Sequence, residues 1–574
     1  MINKLAQFIY NHYITSLLVM ISLFTCFDMV TTYLEFGRLY YSDTDPYTRA
    51  LRIFDWLNDF QWAEKVFPFS NPPDGEILHF TRIADLIWTV FTLPFLFFYP
   101  LKDSVFYGGM FFSPFFFFLS TVTACRGIRP YLQKSEHKET YFVLVLAFFL
   151  CIIYQYSGIF SFTRPDHHSL MFFIFCFNIT TLLFALKSPQ KASFLTAGLL
   201  TGCGIWASSA VEGFFLVGSI LSCDILLWLL NDLQSKSLYR YTAGLCFSVC
   251  LAFALNPPYG GYLVFDNLRL SLIHVVTCVC IFLSFGCIHM LHPQTKIRKL
   301  FVLSGCALSS AAVLLIVFGV STIFAPIYHP NIKLYFLPHI SEMRSPLLRA
   351  PLVFIPFYLM SAYILLKNIR QAYTQKHIAV LCFFSLWYFI PACLTYRFLW
   401  YLIVPIGYLF FLSLYRLLAS IKKTHRRKIR AFGVIIFLLF MLTTFHSDVS
   451  PITYNLPPIK GTVLTGIFAG PQLAFENDVF TVTSPYHTNI SSITDNYKLF
   501  YSDDENELKE LIKKHQVTYV YLPTHKKAKY SPNQLRKKNI TNQILSGRQD
   551  YPWLIKVSSE TDGYVLYRID PQLL

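Results

Sequence analysis

Charge is scarce in this chain. Asp, Glu, Lys and Arg make up only 14% of the 574 residues, while 54% are hydrophobic and 18% aromatic. A soluble domain carries about 25% charged residues, so an ordinary water-soluble enzyme is excluded. No CxxC spacing occurs among the 14 cysteines and none lies after residue 447, which speaks against a zinc site or a disulfide framework and for reduced thiols buried in apolar runs. No internal repeat suggests the inverted halves of a transporter. No small-x-small cleavage site follows "SLLVMISLFTCF", so this stretch is expected to stay as a first helix.

Long apolar runs are abundant, with 58 phenylalanines among them. Spans are expected at 13–34, 104–124, 141–160, 169–187, 192–209, 211–231, 240–256, 270–291, 299–324, 349–367, 377–395, 397–418 and 430–446, each near the length that crosses a hydrocarbon core of about 30 Å. The run 83–99 is a further apolar segment. The formal charge of +16 permits nucleic-acid binding as a reading, but the positive residues lie in short loops, which makes topology the better one. By the positive-inside rule 126–138, 187–191, 234–240, 296–299, 367–376 and 422–430 are cytoplasmic. Thirteen crossings from a cytoplasmic N-terminus satisfy all six, provided that 83–99 does not cross. The first outer loop (35–82), the segments 161–168, 257–269 and 325–348, the turns near 210 and 396, and the tail then face outward. We therefore expect a mainly α polytopic membrane protein, residues 1–446. A small α/β domain on the outer face, residues 447–574, should hold "GTVLTG", "VTYVYLP" and "GYVLYRI" as strands and "ENELKELIKKHQ" as an amphipathic helix.

The outer segments hold the acids with chemical potential. Asp43, Asp45, Asp55 and Asp59 crowd into "YYSDTDPYTRALRIFDWLNDF". Asp45-Pro46 suits a helix start, with Pro at the first helical position and the carboxylate as its cap, or a metal ligand turned into a cleft. In "RPDHHSL", Asp166 and His168 stand two apart, which on an extended turn points both the same way. Carboxylate and imidazole suit Mn²⁺, or Mg²⁺ where carboxylate and water dominate; a plain helix cap accounts for Asp166 but not for the whole group, and His167 is read as structural. Glu342 in "HISEM" is a third acid or a partner of Arg344. Arg397 either snorkels to headgroups or binds a phosphate. Glu212, Asp266 and Asp43 are possible cleft residues.

In this order and on one face, "DP" in a long first outer loop closed by "LHFTRIADL", then "DHH", "ISE" and "RF", followed by an outer tail, resemble the catalytic subunit of oligosaccharyltransferase in the GT-C superfamily of membrane glycosyltransferases. The resemblance implies a multi-pass protein of the plasma (inner) membrane that transfers a sugar or oligosaccharide from a polyprenyl-phosphate or polyprenyl-diphosphate donor. It implies Asp45, Asp166 and His168 as ligands of a divalent metal, Mn or Mg, Asp45 and Glu342 facing the acceptor, and Arg397 on the donor phosphates. One part of the pattern is missing. The family reads its acceptor with "WWDYG", and none of the eight tryptophans here adjoins another. The corresponding region reads "LTGIFAGPQLAFEND" and "VTSPYHTNISSITD", where His487 belongs either to a replacement acceptor loop or to a turn. The acceptor is thus open among lipid, glycan and protein. The competing readings are a catalytically inactive GT-C-like scaffold or sugar-binding subunit and, further off, a transporter.

Overall fold

The structure is a computed structural model that describes residues 2–132 apart from 61 and 64, then 138–139, 142, 145–146, 158–323, 329–337, 340, 343–420, 454, 456–523, 539–541, 551–557 and 564–574. Glu342, the expected span 430–446 and most of 141–160 lie outside the described residues.

Among those described, ten helical segments are long and apolar enough to cross a membrane. We label the helices α1 (Tyr13–Phe36), α2 (Thr44–Asp59), α3 (Arg82–Thr92), α4 (Leu101–Gly109), α5 (Phe112–Leu132), α6 (His167–Lys187), α7 (Phe194–Ala207), α8 (Val211–Leu229), α9 (Ser235–Leu255), α10 (Leu272–Leu291), α11 (Lys296–Ile323), α12 (Pro351–Ala372), α13 (Lys376–Leu394) and α14 (Leu399–Ser420). The expected span 192–209 is shorter than read: α7 has 14 residues, about 21 Å of helix. It packs tightly on α9 because Gly198 and Gly202 carry no side chain. A Cβ at Gly198 would stand 1.9 Å from Tyr241 O, and one at Gly202 2.5 Å from Ser248 Cβ. Small residues let backbones approach in this way where lipid provides no hydrophobic drive between helices. Polar links add to the packing inside the bundle, among them Asn178 to Thr201 Oγ1 (3.0 Å), Ser219 with Tyr388 OH (3.0 Å) and Tyr408 OH to Ala124 O (2.7 Å).

The run 83–99 does not form a spanning helix. Helix α3 has 11 residues and gives way to a 3₁₀ turn, Leu93–Phe97, with Pro94 in its first turn. The chain then returns through α4, where Trp88 Nε1 donates to Val105 O at 2.8 Å. Both flanks lie on the same side of the molecule: the Thr81 hydroxyl donates to Trp206 O, and Lys102 Nζ pairs with Asp478 of the tail at 2.5 Å. Leu93, Phe97 and Phe98 stay exposed at the tip.

The tail forms a five-stranded sheet in the order β2-β1-β3-β5-β4, from β1 (Thr462–Leu464), β2 (Phe480–Thr481), β3 (Val517–Pro523), β4 (Leu554–Lys556) and β5 (Tyr564–Ile569). The β1 strand runs parallel to both β2 and β3, while β5 is antiparallel to β3 and β4. Helices α15 (Gly470–Asn477), α16 (Ile490–Tyr501) and α17 (Glu505–Lys514) accompany it. The periodic pattern of α17 buries Leu508 and Ile512, and Asp504 caps it by accepting from the backbone N–H groups of Asn506 and Glu507.

A buried ion cluster ties α2 to α3. Asp85 Oδ1 is 2.9 Å from Arg49, and its Oδ2 is 3.3 Å from Arg52 and 3.5 Å from Arg82, all with side chains at most 6% exposed. One carboxylate is thus shared by three guanidiniums. Asp85→Asn should remove this shared partner and cost about 3–5 kcal/mol, seen as a large fall in the thermal midpoint of the detergent-solubilised protein; an unchanged midpoint would contradict the assignment.

Candidate active site

Two helix starts bring the acids together. At α2 the cap is Asp43, not Asp45. Asp43 Oδ1 accepts from Thr44 N at 2.7 Å, and its Oδ2 pairs with Arg164 at 3.1 Å. Thr44 is therefore the first helical residue and Pro46 the third, two positions later than the Asp-Pro pattern suggests. This frees the Asp45 carboxylate, which accepts from Tyr486 OH at 3.0 Å. Deep in the cleft, loss of solvent pushes the Asp45 carboxyl up to about 7, helped by the charges of Asp43 and Asp166, while Tyr486 and Arg164 act the other way.

At α6 the cap is Asp166, which has extended backbone. His167 and His168 are the first two helical residues, so the extended alternation expected across "DHH" ends at Asp166. One oxygen of Asp166 does the capping: Oδ1 accepts from His167 N at 2.6 Å. The other, Oδ2, is buried without a hydrogen-bond partner and lies 3.5 Å from His168 Nε2. Burial alone would raise this carboxyl, but His167 and His168 beside it hold it well below the usual carboxylate range. Capping thus uses one oxygen and leaves the other available to a ligand.

Glu212, at the start of α8, sets the orientation of His168. His168 Nδ1 is 3.0 Å from Glu212 Oε2, and Tyr401 OH donates to Oε1 of the same carboxylate. With Nδ1–H given to Glu212, Nε2 is left facing Asp166; carboxylates hold metal-binding histidines in this way. Ligand atoms of Asp166, His167 and His168 lie within 4.8 Å of one another. His167, read from the sequence as structural, in fact lines the cleft, and its Nδ1 is 2.5 Å from Asp166 Oδ1. An orphaned, buried carboxylate oxygen facing one imidazole, with a second imidazole beside the same carboxylate, fits a divalent cation.

The cleft, about 260 Å³, is lined by Asp43, Asp45, His79, His167, Glu212, Arg397, Tyr486 and His487. Acids and histidines of the first loop, α6 and α8 meet Arg397 and the tail loop across it. His487 packs against His79, ring centroids 4.8 Å apart. Burial, then Arg397, pushes His487 down to about 4, so it is a neutral hydrogen-bonding group at neutral pH. Asp266 does not reach the cleft. It is turned to Arg269 (2.6 Å) and to the backbone N–H of Leu268 (2.7 Å), and Leu268 forms the wall instead. Asp55 and Asp59 are engaged by Lys65 at 2.7 and 3.0 Å.

Tyr486 and His487 are held in place by Glu76, a residue the sequence reading did not single out. Its buried carboxylate accepts from Ser484 N (3.0 Å), Thr483 Oγ1 (3.2 Å), Ser492 Oγ (3.2 Å) and the Ser484 hydroxyl. Backbone bonds between Asn71 N and Thr481 O (2.9 Å) and between Thr481 N and Phe69 O (3.0 Å) continue the seam.

No family model and no curated protein sequence matches the chain. Its structure does match solved ones. An apo crystal structure of the Archaeoglobus fulgidus oligosaccharyltransferase aligns with a TM-score of 0.65 at 14% identity, covering 98% of this chain and 75% of that one. This is the GT-C fold. The archaeal oligosaccharyltransferase AglB of the same organism, in complex with an inhibitory peptide and a dolichol-phosphate, aligns at 0.63, with 14% identity and the same coverage. A complex of that oligosaccharyltransferase with Zn and sulfate aligns at 0.59 and 14% identity over 96% of this chain and 73% of that one. Within this GT-C fold the seam at Glu76 joins the membrane part to the tail. Glu76→Ala should loosen it by about 2 kcal/mol, read as roughly thirtyfold faster proteolytic nicking of 483–492 when opening is in fast equilibrium; wild-type nicking rates would show that other contacts carry the seam.

Proposed function

We propose that the protein is a metal-assisted membrane glycosyltransferase. It takes a sugar or oligosaccharide from a polyprenyl-phosphate or polyprenyl-diphosphate donor and passes it to an acceptor on the extracytoplasmic face. The observation that carries this reading is that Asp45, His167 and Arg397 line one cleft, with the ligand atoms of Asp166 and His168 clustered beside those of His167, on a GT-C fold. A divalent cation, Mn²⁺ or Mg²⁺, would be held by Asp166, His168 and Asp45, with His167 adjoining. When bound, such an ion stabilises negative charge on the leaving phosphate.

The chain's own residues have distinct tasks in this reading. Arg397 grips the donor phosphate through its planar fork. Glu212 keeps the His168 ring in one orientation, backed by Tyr401. Asp45, close to Tyr486 and His487, stands between metal and acceptor and orients the attacking group, with Glu342 as its companion. The acceptor then attacks the anomeric carbon from the face opposite the phosphate, which inverts the stereochemistry. Tyr486, His487 and His79 occupy the acceptor side in place of a Trp-Trp-Asp grip, which favours an acceptor other than the Asn-x-Ser/Thr sequon.

Two outcomes test this. Asp166→Ala and Asp45→Ala should each lower transfer from a polyprenyl-linked donor at least about a hundredfold in reconstituted membranes, and chelation followed by Mn²⁺ should remove and restore activity in the wild type. Full transfer in both variants would overturn the roles given to Asp45 and Asp166, whereas no transfer by the wild type would favour the inactive-scaffold reading. Glu212→Gln should behave differently, raising the metal concentration for half-maximal activity about 10–100-fold while saturating metal restores most of the rate.

A further inference from the structure

A second cavity, about 380 Å³, lies at the opposite end of the helix bundle. Helix α8 begins at the cleft with Glu212 and ends at this cavity with Trp228, a separation of about 25 Å for a helix of this length. The cavity forms where the ends of α8 and α10 meet the starts of α9 and α11. Gln234, Ser235, Lys236, His289, His292 and Lys299 line it, and among the described residues no acid does. Asp232, the nearest acid in the chain, is turned to Lys376.

The charged group at its base is built into the fold. Lys299 is 4% exposed, and its Nζ donates to Trp228 O (2.5 Å) and Asn231 Oδ1 (2.7 Å) and sits over the Trp228 ring at 4.8 Å. Part of its task is to close the end of α8. An ammonium has three donors, however, so these two acceptors do not exhaust it. His289 is fixed by Ser235 (3.2 Å) and stacks on Tyr239, while Lys236 and His292 stand at the open side. The result is a donor-rich, cationic recess suited to a phosphate.

What surrounds the recess indicates where the phosphate comes from. Leu230, Met290, Leu291 and Ile297 flank the cavity in sequence and are 49–82% exposed. Exposed aliphatic side chains beside a cationic recess suit a molecule with an anionic head and hydrocarbon chains, and basic pockets between transmembrane helices bind such headgroups. We propose that this cavity is a binding site for the phosphate of an anionic membrane lipid, separate from the donor cleft. It sits on the face that the basic segments 234–240 and 296–299 assign to the cytoplasm.

The test uses the full chain in detergent, titrated with phosphatidylglycerol or phosphatidylcholine and read by native mass spectrometry, for wild type and for the double variant Lys236→Gln/His292→Gln. Both positions are exposed, so folding should be kept; a matching thermal midpoint verifies this. The wild type should retain phosphatidylglycerol over phosphatidylcholine, and the variant should retain it roughly fivefold less, the effect of about one surface cation. Equal retention by both proteins would overturn the site. Displacement of the lipid by millimolar inorganic phosphate would overturn the lipid as occupant in favour of a free phosphate. Lys299→Met, which removes the cation at the base, should abolish the preference; retained preference in a folded Lys299→Met protein would also overturn the proposal.

Discussion

The first N–H groups of a helix need acceptors, and at two helix starts on one side of this molecule the acceptors are carboxylates. Asp43 caps α2 and Asp166 caps α6. Neither spends its second oxygen on the cap. That of Asp43 holds Arg164, two residues before Asp166 in the chain, and a backbone bond from Ser42 N to Thr163 O (2.9 Å) locks the two segments together. The remaining oxygen of Asp166 faces His168. Cap geometry therefore fixes where the acids stand, and the cleft follows from it.

Around that pair the polar groups form a graded chain. Asp166 faces His168, His168 meets Glu212, and Glu212 meets Tyr401. Glu212 satisfies His168 and is satisfied in turn by Tyr401, which is how ionisable groups are tolerated in an apolar bundle, while the Asp166 oxygen at the head of the chain has no hydrogen-bond partner. The other wall comes from the tail, through a loop held by Glu76. The site is thus assembled from the first loop, three helices and the tail, and no single element contains it.

Much of this was legible in the sequence. Apolar run length located the described spans, because lipid leaves a crossing helix few alternatives; 83–99 stood apart because the basic loops required it to turn back. Asp45, Glu212, Arg397 and His487 line the cleft, with Asp166 and His168 behind His167. Errors arose where local periodicity changes. Asp-Pro suggested a cap at Asp45, but the cap falls two residues earlier. Alternation across "DHH" turned His167 away, whereas a helix begins there and turns it into the cleft. Asp266 looked like a cleft acid, yet Arg269 sits one turn on and claims it. Glu76 carried no readable signal, because most of its partners lie far along the chain.

That distance bears on how the protein is made. Glu76 accepts from Thr483, 407 residues later. At ribosomal speeds of about 5–20 residues per second, on the order of 20–80 s separates synthesis of the carboxylate from arrival of its donors. During that interval the first loop is an unfinished surface with an uncapped acid and no wall opposite it. The cleft can close only as a last act of biogenesis, so a chain stalled before the tail emerges would be inserted and helical, with the cleft left open.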